Sequence, residues 1–291
     1  MFSLLYDALM VTALFLLVLL QSPAGASSSP VATHEEQLVD SQVEAVVEEL
    51  PTIEVRSQRH SINSGIDGSL SMLTEGEMRA VAPKHPNEMF NRVPGAWISA
   101  GSGQEHLTAI RSPVLTGAGA CGAFMVLEDD VPTRPSGFCN VNQLFEVNVR
   151  QAGRIDVLRG PGTVTYGSNA LHGVVNVMTP GPAADRFAEF EIETGTDDYH
   201  RGSLAMSGAH SALQASYTDS GSFREAEGFR HGLFNLQLDH TTARSTGRTS
   251  IAYANLDQDT AGYILGKNAY EDEILRTHNL NPDAYRDAWA A

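Results

Sequence analysis

The chain has 291 residues, with 19 Lys plus Arg against 35 Asp plus Glu and a formal net charge of −16. That length suits one or two domains, and a content of 19% charged and 42% hydrophobic residues excludes both a disordered polyelectrolyte and a bundle of membrane helices. The acidic balance leaves no basic face to collect phosphates, so nucleic acid is excluded as a general partner.

Residues 8–20 (ALMVTALFLLVLL) form an uncharged apolar run, followed by the small-residue site Ala24-Gly25-Ala26. The run is short of the ~20 residues of a membrane helix and reads as a secretory signal peptide over 1–26, with an uncleaved anchor as the alternative. The leading MFSLLYD departs from the signal pattern, since it carries Asp7 and no Lys or Arg. An exported chain permits a disulfide between Cys121 and Cys139, the alternative being two unpaired buried thiols. The ten His lie without Cys-x-x-Cys or paired-His spacing, so no metal site and no resident cofactor is expected.

Residues 27–55 make an acidic, flexible tail that carries seven Asp or Glu and no Lys or Arg. It ends in Leu50-Pro51-Thr52-Ile53-Glu54-Val55, a β-favouring string able to add itself to a partner's sheet edge, or else the first strand of the next domain. Residues 56–182 read as a small α+β domain. Strands are expected at 123–127 (AFMVL), 154–158 (RIDVL) and 173–178 (GVVNVM), with a capping box from Thr74 to Glu77 and a helical turn or two over 87–93.

From 183 onward the texture becomes period-2 alternation. Ala188, Phe190 and Ile192 alternate with Glu189, Glu191 and Glu193, and the same pattern recurs at 201–209, 211–219, 233–240 and 249–255, giving five strands. Alternation alone fits any antiparallel sheet with one wet face, a soluble sandwich included. The signal peptide and the strand length favour a transmembrane β-barrel with lipid outside. Beyond 260 the pattern fades, and Asn281-Pro282 before AYRDAWAA reads as the cap and first residue of a helix.

One string carries a resemblance. RIDVLRGPGTVTYGSNALHGVVNVMT (154–179) resembles the plug-domain signature of TonB-dependent outer-membrane receptors, R-I-E-V-x-R-G-P, then Y-G-x-x-A, then G-x-I-N-I-x-T. Arg154, Ile155, Val157, Arg159, Gly160, Pro161, Tyr166, Gly167, Ala170, Gly173, Asn176 and Thr179 match. Ile110-Arg111 resembles the family's I-R-G but has Ser112 for Gly, and Val126 to Pro132 resembles the strand ending in D-G-V-P but has Asp130 for Gly. Both departures fall at turns where glycine supplies a backbone freedom that Ser and Asp supply less readily. A phosphate loop is excluded because RGPGTVTYGS has no Gly-Lys-Ser/Thr, and Ser168 lacks the flanking glycines of a hydrolase elbow.

The resemblance implies a plug followed by the first strands of an incomplete transmembrane β-barrel in the cell outer membrane. It further implies a non-enzymatic receptor for energised uptake of a scarce bulky nutrient, a ferric siderophore-type chelate. TonB of the TonB-ExbB-ExbD complex would grip a TonB box at Thr52, Ile53, Glu54 and Val55 by β-augmentation. Plug–barrel contacts are expected between Arg111, Arg154 and Arg159 and the wall carboxylates Glu189, Glu191 and Glu193. Gln104, His106, Arg134, Phe138 and Asn140 are the expected ligand contacts on apical plug loops. Barrels of this class have about 22 strands, whereas the 105 residues from 187 to 291 hold five or six. An amino-terminal portion of a longer receptor is therefore expected, the alternative being a non-transporting periplasmic or surface binding module.

Overall fold

The structure, a computed structural model, describes residues 69–115, 123–134 and 142–291. The signal peptide, the acidic tail, the Thr52 to Val55 segment, Cys121, Phe138, Cys139 and Asn140 lie outside the described residues.

The first half folds around a five-stranded mixed sheet of order β1-β6-β7-β4-β5. Its strands are β1 (Leu70–Thr74), β4 (Phe124–Glu128), β5 (Val131–Pro132), β6 (Arg154–Arg159) and β7 (Gly173–Met178), and a separate pair joins β2 (Ala96–Ile98) to β3 (Thr108–Ile110). Only β4 and β7 run parallel. The three central strands are buried on both faces, which is why their sequences read as continuous apolar runs rather than as alternation. Phe124, Val126, Ile155, Val157, Val175 and Val177 pack on one side with Met78, Met89, Phe90 and Leu144, while Met125, Leu127, Leu158 and Val174 pack on the other with Ala170.

Helix α1 (Glu75–Val81) begins at the expected capping box: Thr74 Oγ1 accepts from Glu77 N at 3.3 Å, and Glu77 Oε2 accepts from Thr74 N at 2.7 Å. It ends with Ala82 in the left-handed region, and Pro83 prevents continuation. Two single-turn helices follow, α2 (Asn87–Phe90) and α3 (Thr163–Tyr166), with a 3-10 turn at Gln143–Glu146.

Both turns that depart from the family's glycines form with non-glycine residues at positive φ. The β4–β5 hairpin turns on Asp129 (φ 50°) and Asp130 (φ 68°), the two positive angles of a type I′ loop. Aspartate tolerates that conformation, and here each carboxylate is also held: Asp129 accepts from Thr179 N at 2.9 Å, and Asp130 Oδ1 accepts from Asn176 Nδ2 at 2.7 Å. At the other turn Arg111 itself takes φ 48°, and its N–H donates to Gly95 O at 2.8 Å.

The second half is an antiparallel meander of six strands, in order β13-β12-β11-β10-β9-β8. They are β8 (Phe187–Thr194), β9 (His200–Ser207), β10 (Ser211–Ser220), β11 (Gly228–Thr241), β12 (Thr246–Asp259) and β13 (Tyr285–Ala290). The first five match the expected alternation, several of them running longer. The sixth replaces the helix expected after Asn281. Pro282 and Asp283 form a turn closed by Ala284 N donating to Asn281 O at 3.0 Å, and Tyr285 to Ala290 then pair with β12. The open edge of β12 supplies ladder hydrogen bonds that a lone six-residue helix lacks.

Register places like side chains in rows across the sheet. Phe190, Leu204, Ala215, Phe234 and Tyr253 are successive partners on one face, as are Ala188, Met206, Leu213, Leu236 and Ile251. This face is apolar and unpacked, with Phe190 and Ile192 each 69% exposed, as befits a surface for lipid. The opposite face carries Arg201, Ser203, Gln214, His231, Asn235, Gln237 and Gln258, all buried. Connections are short at one end (208–210 and 242–245) and long at the other (195–199, 221–227 and 260–284). The longest contains α4 (Glu273–Thr277) and is pinned by Arg224, whose guanidinium donates to the carbonyls of Ala261, Gly262 and His278.

A tight approach fixes Gly173 at the start of β7, where a Cβ would lie 2.6 Å from Leu158 O and 2.7 Å from Ile110 Cγ2. Gly173→Ala is expected to destabilise the mixed sheet by about 2 to 3 kcal/mol, measured as a lowered denaturation midpoint. An unchanged midpoint would mean that the backbone there yields easily.

Candidate functional site

The polar face of the long sheet and the first domain meet along a seam of hydrogen bonds. At the end with short turns, Gln214 Nε2 donates to Pro180 O at 3.0 Å, and Asn235 Nδ2 donates to Glu128 Oε1 at 2.8 Å. Gln237 Nε2 donates to Asp129 Oδ2 at 2.7 Å and also meets Thr179 Oγ1. Further along, His231 Nε2 donates to Phe145 O at 2.8 Å and Gln151 Nε2 to Leu204 O at 3.1 Å. Near the long loops, Gln258 Oε1 accepts from Gln104 N at 2.9 Å, and Ala261 N donates to Ser102 Oγ at 3.2 Å. Each such bond contributes on the order of 1 kcal/mol net, so the seam holds collectively.

Two ion-pair groups reinforce it. Arg79, from the last turn of α1, grips Glu189 with both terminal nitrogens at 2.9 Å in a half-exposed setting. Arg150, its side chain only 11% exposed, bridges Glu191 at 3.4 Å and Glu193. The three glutamates on β8 thus face the first domain, but their partners are not the expected arginines. Arg154 pairs with Asp156 on its own strand at 3.0 Å. Arg159 donates to Ser69 O at 3.2 Å and Pro94 O at 2.6 Å, and Arg111 reaches Arg159 O at 3.4 Å. The reason is topological: β6 lies between β1 and β7, so guanidiniums at its ends meet carbonyls of their own domain and not β8.

The described ligand candidates are also committed internally. Gln104 and His106 are buried, with Gln104 Nε2 donating to Lys84 O and His106 Nε2 accepting from Leu144 N. Burial depresses the His106 imidazole to about 4, so it is neutral at ordinary pH. Arg134 is held by Glu146, whose side chain is almost fully buried. These three residues anchor the loops on which they sit. Arg79, Arg150 and the wall amides were missed by sequence reasoning. The amides had a signal, since Gln214, Asn235 and Gln237 occupy the polar phase of their strands, whereas nothing local marks the two arginines.

Residues 63–174 match the family model of the TonB-dependent receptor plug domain. The chain carries a TonB-dependent receptor plug. It is 24% identical over 161 residues to the vitamin B12 transporter BtuB of Vibrio vulnificus, covering 55% of this chain and 25% of that protein. Its fold is similar to that of FpvA of P. aeruginosa bound to heterologous pyoverdine and iron, with TM-score 0.59, 16% identity, and 76% of this chain and 30% of that one covered. It is also similar to the ferric citrate transporter FecA in its unliganded form, with TM-score 0.57, 21% identity, and coverage of 73% and 34%. The chain therefore spans about a quarter to a third of the length of these relatives. The first domain is the plug, the long sheet is barrel wall that does not close among the described residues, and the family is one of outer-membrane proteins. In such barrels the short turns lie on the periplasmic side and the long loops outside.

The two ion-pair groups differ in burial and should differ in worth. Arg150→Ala removes the guanidinium shared by half-exposed Glu191 and more buried Glu193 and is expected to ease plug opening by about 1 to 2 kcal/mol, whereas Arg79→Ala should cost less than about 0.5 kcal/mol. Hydrogen exchange of plug amides reads both, and equal effects would contradict the assignment. Burial also pushes the Glu128 carboxyl up from 4.5 to about 7. A raised folded value favours the protonated acid, so its contribution is full below about 4.5 and is lost as pH rises through about 7. Unfolding midpoints should fall between pH 5.5 and 8 by more in the native chain than in Glu128→Gln; parallel profiles would refute the role of this proton.

Proposed function

We propose that the protein is an outer-membrane receptor that takes up a scarce, bulky nutrient, a ferric siderophore-type chelate, by energised transport. The observation that carries this reading is the character of the plug–wall seam. Amide hydrogen bonds and partly hydrated ion pairs join the wall to a plug that keeps its own two apolar layers. An apolar interface would hold the plug permanently, while a polar one exchanges its bonds for water at small net cost as the plug is drawn aside.

The force would come from TonB, in complex with ExbB and ExbD, pairing as an added strand with Thr52-Ile53-Glu54-Val55. The supporting features are the position of this string before the plug and the arginine-free acidic stretch leading to it. The proposed organisation is a signal peptide to 26, a tail with the box to 55, a plug to 182 and barrel wall from 183. Relatives named for vitamin B12 and ferric citrate transport support a chelated-metal cargo.

The test is uptake by the native bacterium of radiolabelled iron as citrate or siderophore chelate, and of cyanocobalamin, with and without the gene. Loss of one uptake activity on deletion is expected. Ile53→Pro, which removes a donor from the added strand, should lower that uptake about tenfold while surface binding persists. Uptake untouched by deletion, with binding intact, would leave a non-transporting binding module.

A further inference from the structure

A small crevice with room of about 50 Å³, part of it open to solvent, lies between the plug and the wall in the half nearer the long loops. Lys84 and Arg150 reach it from the plug, and Arg201, Ser216 and Thr218 from strands β9 and β10. Among the described residues no Asp or Glu lines it. Arg201 is only 6% exposed and has no carboxylate within salt-bridge distance among the described residues, although Glu193 is its direct cross-strand partner. Glu193 is instead taken by Arg150, and Arg201 keeps the Tyr199 hydroxyl and the attraction of Glu191 beyond salt-bridge distance. Lys84 likewise has no acid partner among the described residues, and its ammonium sits 4.0 Å over the Tyr199 ring.

Two donors sharpen the point. Arg201 Nε and Arg150 Nη1 are buried without a hydrogen-bond partner. A buried guanidinium donor left unpaired carries its full desolvation penalty, and buried charges are ordinarily paired or bound to something. Three cations meet here against the two carboxylates that Arg150 holds, which leaves an excess of positive charge flanked by two hydroxyls.

We propose that this crevice is a binding site for one oxyanion, a phosphate or a carboxylate, held between Arg201 of the wall and Arg150 and Lys84 of the plug. A planar guanidinium presents paired donors that match such an anion, and the hydroxyls of Ser216 and Thr218 add neutral donors. Because its ligands come from both halves, the bound anion bridges them. It strengthens plug seating when present and weakens it when it leaves.

The experiment titrates inorganic phosphate into the intact protein in detergent at constant ionic strength, read by calorimetry and by hydrogen exchange at 147–150 and 200–203. Saturable binding near one per chain is expected, with exchange slowed on both sides of the crevice. Arg201→Gln should weaken binding at least about tenfold, with Arg201→Lys recovering part of it. Lys84→Gln, at an exposed position that folding tolerates, should weaken it about threefold. Asp257→Asn, whose exposed partner Arg230 lies on the outer face of the wall, should leave it unchanged. Competition by ferric citrate would assign the site to a carboxylate of a chelate, and phosphate binding without competition would assign it to the free anion. Absence of saturable binding, or equal affinity in Arg201→Gln and Lys84→Gln, would overturn the proposal.

Discussion

The polar seam between plug and wall is the constraint on which the rest of this structure depends. Wall amides at Gln214, Asn235, Gln237 and Gln258 each find a plug partner, and Arg150 holds two wall glutamates from a nearly buried position. A strand that presents lipid-compatible side chains on one face must present something else on the other, and here it is hydrogen-bonding groups that the plug satisfies. The amide nitrogens of these four side chains all find acceptors on the plug, so the plug's shape and the wall's inner face specify one another.

For the seam to be loosened without unfolding, each half has to be stable in its own right. The plug achieves this with a sheet packed on both faces, where Phe124, Val126, Ile155 and Val175 form one apolar layer and Met125, Leu127, Leu158 and Val174 the other. Its turns are secured by side chains of the same domain: the Asp129 carboxylate caps Thr179 while also receiving Gln237 from the wall. That residue joins the β4–β5 turn of the plug to the seam. On the wall side, the long loop 260–284 is tied down by Arg224 through three carbonyls, keeping the outer end of β12 and β13 together.

Charge distribution follows the same division. The carboxylates of β8 are met from the plug by Arg79 and Arg150, which come from the end of a helix and from the segment before β6. The signature arginines Arg154 and Arg159 serve the plug instead, Arg154 pairing with Asp156 within β6 and Arg159 tying the strand's end to Ser69 and Pro94. The two signature arginines thus stabilise the plug internally, while Arg79 and Arg150 make the contacts between halves.

The sequence by itself determined the local elements and the face each strand would bury. The Thr74–Glu77 box, the apolar runs at β4, β6 and β7, and the alternation from 187 to 255 depend on neighbours within a few residues, so local pattern was enough. It likewise marked Glu189, Glu191 and Glu193 as one face. Tertiary structure alone decided what meets that face, because the pairing of Arg79 with a residue 110 positions away leaves no periodic trace. It also decided that Gln104, His106 and Arg134 turn inward, and that Tyr285 to Ala290 become a strand, since the edge of β12 offers those six residues backbone partners that their own sequence does not encode.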